Sequence, residues 1–254
     1  MTTTDTVTPL LDITRRIARR ECLDAASMTP AERSALADRL FEVYSDTVHG
    51  FDRRDFESQV FAADDVRLAL FYGAEGELAG FACAHVERIA HDDRTYAVLC
   101  ASLYFRLGYR GGTSGALFCL REALRFKLRE PRTPLVYVTR CASPAVYRLL
   151  ASTMPEVYPS RTRQTPSDVE ALVRIVGQRW GYVPVTDGPW VVSSVATPHE
   201  PSRLRRLDSD PDARFYLRMN PRFAEGDALV VWTPLSAANI AGGIFRLLRG
   251  KLGR

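Results

Sequence analysis

Phe105-Arg106-Leu107-Gly108-Tyr109-Arg110-Gly111-Gly112-Thr113-Ser114-Gly115 separates a nearly unbroken apolar run from an amphipathic one, and its reading decides the fold. An apolar strand that enters an Arg-Gly-Gly turn and then a helix offers backbone N–H groups, one fixed cation and a positive helix dipole to a single anion. Phosphate is the anion such a turn fits. Before the turn, Thr95 to Phe105 (TYAVLCASLYF) reads as a central strand covered on both faces. After it, Leu117, Leu120, Leu124 and Leu128 mark a helix with Arg121, Glu122, Arg125 and Arg129 on its outer face, stopped by Pro131 and Pro134. Leu135 to Val138 is a further buried strand, and Ser143-Pro144 starts a helix over Ala145 to Thr153. Strand, turn, helix, strand and helix in this order put two parallel strands around a crossover helix, the core of an α/β protein.

Upstream, Thr29-Pro30-Ala31-Glu32 is a capping box with proline at the first helical position, followed by Leu36, Leu40, Val43 and Tyr44 at helical spacing. A shorter helix is expected from Asp52 through Phe61. Val66 to Tyr72 and Leu78 to Ile89, joined by a Gly-containing link, read as a hairpin. Strand alternation puts Phe81, Cys83, His85 and Glu87 on one face of the second run. Leu10 to Arg20 has the spacing of a short helix with a basic face. Downstream, Thr165-Pro166-Ser167-Asp168 is expected to cap a helix striped by Val169, Leu172, Val173, Val176 and Trp180 and ended by Gly181. Trp190 to Ala196 and Gly226 to Thr233 read as strands, and Arg214 to Met219 as a weaker one.

The 254 residues, 46% hydrophobic and 25% charged, suit a globular protein with a sizeable core. Of 34 basic residues only Lys127 and Lys251 are lysines, 30 acids are interspersed with them, and no basic stripe alternates with aromatics, so nucleic acid is not an expected partner. The five cysteines are widely spaced without a C-x-x-C pair, and no leader or long apolar run occurs, so the expected location is cytoplasmic. The last 20 residues carry Arg246, Arg249, Lys251 and Arg254 and no acid. With Ile240, Ile244, Leu247 and Leu248 on one helical face, this tail reads either as a helix packed on its own domain or as a contact for a membrane surface or an acidic partner. The four histidines are scattered, and His85-x-Glu87-x-x-x-His91 matches no established ligand spacing, so no metal is expected.

The element order and the turn together resemble the GCN5-related N-acetyltransferase (GNAT) superfamily. The family pattern at the turn is an apolar residue followed by x-P-x-Y-R-G-x-G-x-G. Phe105 stands at the apolar position, Leu107 replaces the proline, Tyr109-Arg110-Gly111 match Y-R-G, Thr113 replaces the middle glycine and Gly115 is the last. The resemblance implies a mixed α/β sheet with a GNAT-like core over 29–234, an N-terminal extension 1–28, a helical insertion 154–190 and a basic C-terminal helix 235–254. It implies an acyl-CoA, or an acyl carrier protein, as donor and a small-molecule or peptide amine as acceptor. Leu103, Phe105, Tyr109, Arg110, Gly111, Gly112, Thr113, Ser114 and Gly115 would hold the donor.

The family's usual base and acid are not plainly present. Thr95 to Phe105 contains no carboxylate, and Leu150 stands where the family's helix tyrosine would, with Tyr147 one turn back. The replacements are Glu87 and His85 as base, and Ser102, Tyr104 or Tyr147 as acid. A GNAT-like module without catalysis, binding an acyl-CoA, a lipid or a protein, is the alternative.

Overall fold

The structure, a computed structural model, describes residues 15–252 apart from 64, 110, 111, 195 and 200–208. β1 (Arg19–Asp24) is followed by α1 (Pro30–Thr47), β2 (Val48–His49), α2 (Arg53–Val60), β3 (Arg67–Tyr72), β4 (Leu78–His91) and β5 (Arg94–Phe105). Then come α3 (Gly112–Arg129), β6 (Leu135–Cys141), α4 (Pro144–Thr153), α5 (Ser167–Arg179), β7 (Val183–Pro184) and β8 (Val191–Ser193). β9 (Thr197–Pro198), α6 (Pro211–Met219), β10 (Asp227–Pro234) and α7 (Ala237–Leu252) complete the chain. Eight strands form one mixed sheet in the order β1-β3-β4-β5-β6-β10-β8-β7, and β2 pairs with β9 apart from it. Every neighbouring pair in the large sheet is antiparallel except β5 and β6. This is the mixed α/β architecture and the element order expected from the glycine turn outward.

The long hairpin β4–β5 forms because both runs are apolar and the link between them tolerates left-handed backbone. Asp92 and Asp93, at φ 45° and 58°, supply the two positive dihedrals of a tight hairpin turn. Alternation then sorts β5 between two layers. Ala97 and Leu99 face α3, packing with Phe118, Ala123 and Phe126. Val98 faces the opposite way, into a cluster with Val169, Leu172, Val173 and Val176 of α5. On that same opposite face, farther along, Tyr104 packs beside Leu40, Val43 and Tyr44 of α1 and Phe56 of α2. So α3 covers one face, while α1–α2 and α5 stand side by side on the other.

Several elements depart from expectation. Arg19 to Arg20, expected in a helix, begins β1, which pairs with β3 from Arg19↔Tyr72 to Asp24↔Arg67. The expected extension thus supplies an edge strand, held by backbone pairing and by the Arg19 guanidinium 3.9 Å from the Tyr72 ring centre rather than by an apolar pattern. Residues 1–14 lie outside the described part. In α3 the leucine stripe points outward, with Leu117, Leu124 and Leu128 exposed, whereas Phe118, Ala123 and Phe126 are buried. The helix carries two apolar stripes, and the one with the larger aromatic area takes the core. Arg214 to Met219 belongs to α6, not to a strand. Asp210 caps that helix through the N–H groups of Asp212 and Ala213, with Pro211 in its first turn. α5 starts at Ser167 without the side-chain cap expected. The basic tail is α7, whose Gly242 and Gly243 lie against Pro155 and Met154 while Ile244 and Phe245 are exposed.

Asp210 also holds Arg148 at 2.6 Å. Burial raises its carboxyl, but the cap and the guanidinium outweigh this and leave it below the ordinary aspartate value. Asp210→Ala should therefore cost about 1–2 kcal/mol in urea unfolding. Because the folded-state value is depressed, this contribution is present above the ordinary aspartate pKa of about 3.9 and is lost as pH falls through the lower folded value. The stability gap between variant and parent should shrink in acid. Among the described residues no helix is long and apolar enough to cross a membrane. All five cysteines are free.

Candidate active site

The parallel pair opens part-way along. β5 and β6 are in register from Ala97↔Leu135 to Cys100↔Val138 and no farther. Beyond that point β6 stays with β10 as far as Leu229↔Cys141, and β5 stays with β4 as far as Gly80↔Phe105. Among the described residues, 101–105 of β5 consequently have no ladder partner on the β6 side, and all five are half-buried rather than buried. Unpaired backbone groups in a narrow notch can bond an extended, amide-bearing ligand as a strand would.

On the α3 face of the notch lie Leu103 and Phe105. Gly115 lets α3 come close here: a Cβ at that position would stand 1.9 Å from Leu103 Cδ2. Ser114, half-buried in the first turn of α3, is at the same end. Tyr109 is buried, its hydroxyl bonded to Glu77 of the β3–β4 link and its ring 5.7 Å from the Arg15 guanidinium carbon. Its contacts join the turn to the hairpin. Arg110 and Gly111 lie outside the described residues. Gly112 and Thr113 open α3, so the expected strand, turn and helix are in sequence.

The opposite face carries the polar cluster. Cross-strand pairing sets His85 beside Cys100 and Cys83 beside Ser102. His85 Nε2 lies 3.3 Å from Glu87 Oε1. The other carboxylate oxygen accepts the Trp180 indole N–H at 2.9 Å and stands 3.3 Å from Arg179 Nε. Arg179 in turn donates to the Arg88 carbonyl at 3.0 Å. Glu87 is thus held on both oxygens and oriented against the imidazole. Burial, then the Glu87 charge, pushes the Cys100 thiol well up, so it stays protonated and does not act as a nucleophile. Tyr104 stacks on Phe81 and meets Tyr44 edge-on at 5.5 Å between ring centres. Burial keeps its phenol protonated.

The structure brings His85, Glu87, Ser102 and Tyr104 to one face beside the notch. Tyr147 is not among them. Its side chain is buried in the cluster beneath α6, and its hydroxyl donates to the Pro159 carbonyl at 2.9 Å, which corrects the expectation that it could reach the reaction centre. The metal expectation changes too. His85, Glu87 and Cys100 present a nitrogen, an oxygen and a sulfur within 4.8 Å of one another, a set able to hold a divalent ion that His91 spacing alone did not suggest. A guanidinium and an indole N–H already engage one Glu87 oxygen, so a metal there would share its carboxylate with a fixed cation.

Four further residues were not read from the sequence as site residues, Trp180 having been read only as part of an apolar helix stripe. Arg179, Trp180 and Tyr182 come from the end of α5, within the expected insertion. Arg140 follows Val138 on β6 by one strand period, and its guanidinium carbon lies 4.9 Å from the Tyr182 ring centre. Ending the strand at Val138 hid Arg140; continuing the alternation of Val136 and Val138 would have found it.

No protein-family model matches the chain, and no curated protein sequence matches it either. Among solved structures it is similar to a GCN5-related N-acetyltransferase from Kribbella flavida, at 12% identity and TM-score 0.36, over 85% of this chain and 98% of that one. It is similar also to NAA60 of Arabidopsis thaliana, solved in complex with acetyl-CoA, at 8% identity and TM-score 0.37, over 85% of this chain and 99% of that one. A conserved protein of Enterococcus faecalis V583 aligns at 14% identity and TM-score 0.35 over 54% of this chain, which spans only 33% of it.

Proposed function

We propose that the chain is an acyltransferase that takes an acyl group from an acyl-CoA, or an acyl carrier protein, and passes it to an amine by direct attack. The observation that carries this reading is the notch: a parallel pair that parts after Cys100↔Val138, on the strand that leads through Tyr109 to the start of α3. The unpaired edge of residues 101–105 suits the amides of a pantetheine arm. The turn and the helix start suit its phosphates.

In the reaction the amine nitrogen attacks the thioester carbonyl while His85 accepts its proton. The tetrahedral intermediate then collapses, the C–S bond breaks, and the departing thiolate takes a proton from Tyr104 or Ser102. Glu87, 3.3 Å away, holds the imidazole in the required orientation. Burial keeps the Tyr104 phenol protonated and available as a donor to the departing sulfur, while making it the weaker acid for it.

Calorimetry with acetyl-, malonyl- and long-chain acyl-CoA tests the donor. Binding of at least one, lost in Arg110→Glu, is expected; no binding to any of them overturns the reading. The burial of Tyr147 and the leucine at position 150 favour a second reading, a module that binds the donor without turning it over. Donor binding with thiol release at background across amine acceptors would select it.

A further inference from the structure

We infer that the acceptor is an amine that also bears a carboxylate, and that Arg140 binds the carboxylate. The inference rests on the acyl-transfer reading above and names its substrate class. Arg140 sits just past the last β5–β6 pair, Cys100↔Val138. Continuing that register would set it opposite Ser102, and alternation puts it on the face of Cys100, Ser102 and Tyr104. It is therefore across the notch from His85, which pairs with Cys100 on the other side of β5.

Arg140 is half-buried, and among the described residues no carboxylate lies within ion-pair distance of it. Its surroundings are phenols instead. Its guanidinium carbon lies 4.9 Å from the Tyr182 ring centre, and its charge opposes the rise that burial causes at Tyr44, Tyr104 and Tyr182. Other arginines near the site are paired: Arg179 with Glu87, Arg106 with Asp46 at 2.7 Å, and Arg88 with Glu130. A guanidinium withdrawn from water and braced on an aromatic ring retains its capacity for two parallel hydrogen bonds to a carboxylate.

The charges of the cleft discriminate among amines. Glu87 is shared between Arg179 and His85, so among the described residues of the cleft the uncompensated charge is the positive one on Arg140. A simple ammonium entering alone meets like charge there. An amino carboxylate directs its ammonium to His85 and Glu87 and its carboxylate to Arg140, so the same group attracts one substrate class and repels the other.

The test uses the full chain, acetyl-CoA and thiol release, with leucine, phenylalanine, methionine and lysine each set against its decarboxylated amine. At least one amino acid should exceed its amine in kcat/KM by about 10–100-fold, the worth of one charge-assisted pair. Arg140→Met should raise KM for that amino acid by a similar factor, lower KM for the amine, and be partly rescued for the amino acid by Arg140→Lys. Equal or better turnover of the amines, or a KM that Arg140→Met does not move, overturns the inference while acyl transfer stands. A dependence on Arg140 that arises with malonyl-CoA and simple amines would put the carboxylate on the donor and also overturns it. Where the donor binds and no acceptor reacts, calorimetric titration of the amino acids into the CoA complex decides, and binding that Arg140→Met leaves unchanged overturns the inference. Absence of donor binding is a separate outcome that removes the acyl-transfer reading itself and this inference with it.

Discussion

His85→Gln should lower kcat by about 10²–10⁴-fold and leave acyl-CoA affinity as it was, because the imidazole acts on the amine and not on the donor. The imidazole lies beside the point where β5 and β6 part, and Glu87, 3.3 Å away, fixes its orientation. Glu87→Gln keeps the shape but weakens the hold of Arg179 and removes the negative charge facing the imidazole. Its effect should be smaller and in the same direction, with the donor affinity again unchanged. Single-turnover thiol release, measured with donor saturating, separates these from binding defects. Full turnover in both variants would remove the cluster from the chemistry.

The second large effect is structural. Gly80 is paired with Phe105 in the hairpin, and a Cβ there would lie 2.4 Å from Phe105 Cδ1 and 2.6 Å from the Tyr104 carbonyl oxygen. The side chain could turn aside, but the carbonyl belongs to the backbone. Gly80→Ala should therefore displace the end of β5 and cost about 1–3 kcal/mol. Because the displaced residues are those that face the notch, donor affinity should fall along with the urea midpoint. Gly76→Ala is the control: at φ 83° with nothing within 4 Å, it brings backbone strain without a clash, so stability falls and donor binding does not. Unchanged stability in Gly80→Ala would contradict the packing described.

The central elements were legible because each had one dominant signal. Thr95 to Phe105 is apolar over its whole length, and Thr29 to Glu32 closes a capping box in which Thr29 N–H donates to Glu32 at 2.8 Å. Competing signals produced the departures. α3 has two apolar stripes, and only contact with the sheet, set by Gly115 against Leu103, chooses between them. α6 has both alternating polarity and a helical cap, and Asp210-Pro211 prevails. β1 has no apolar pattern to read, since backbone pairing with β3 supplies its order. At the site, alternation was enough to put His85 with Glu87 and Ser102 with Tyr104. Trp180, Tyr182 and Arg140 reach them from two other segments, and no local periodicity encodes that approach.

The parting of β5 from β6 also gives the sheet a third edge, in its middle. Exposed edges invite strands from other molecules, and the outer two are guarded: β1 is short and charged, with Arg19, Arg20, Glu21 and Asp24, and β7 is only two residues long. The middle edge needs no such guard. β6 diverges from a point of direct contact, so a second chain cannot lie along it without meeting β6, while a single thin arm can. This inner edge is thus shielded by its own neighbour from self-association and remains open to a narrow ligand.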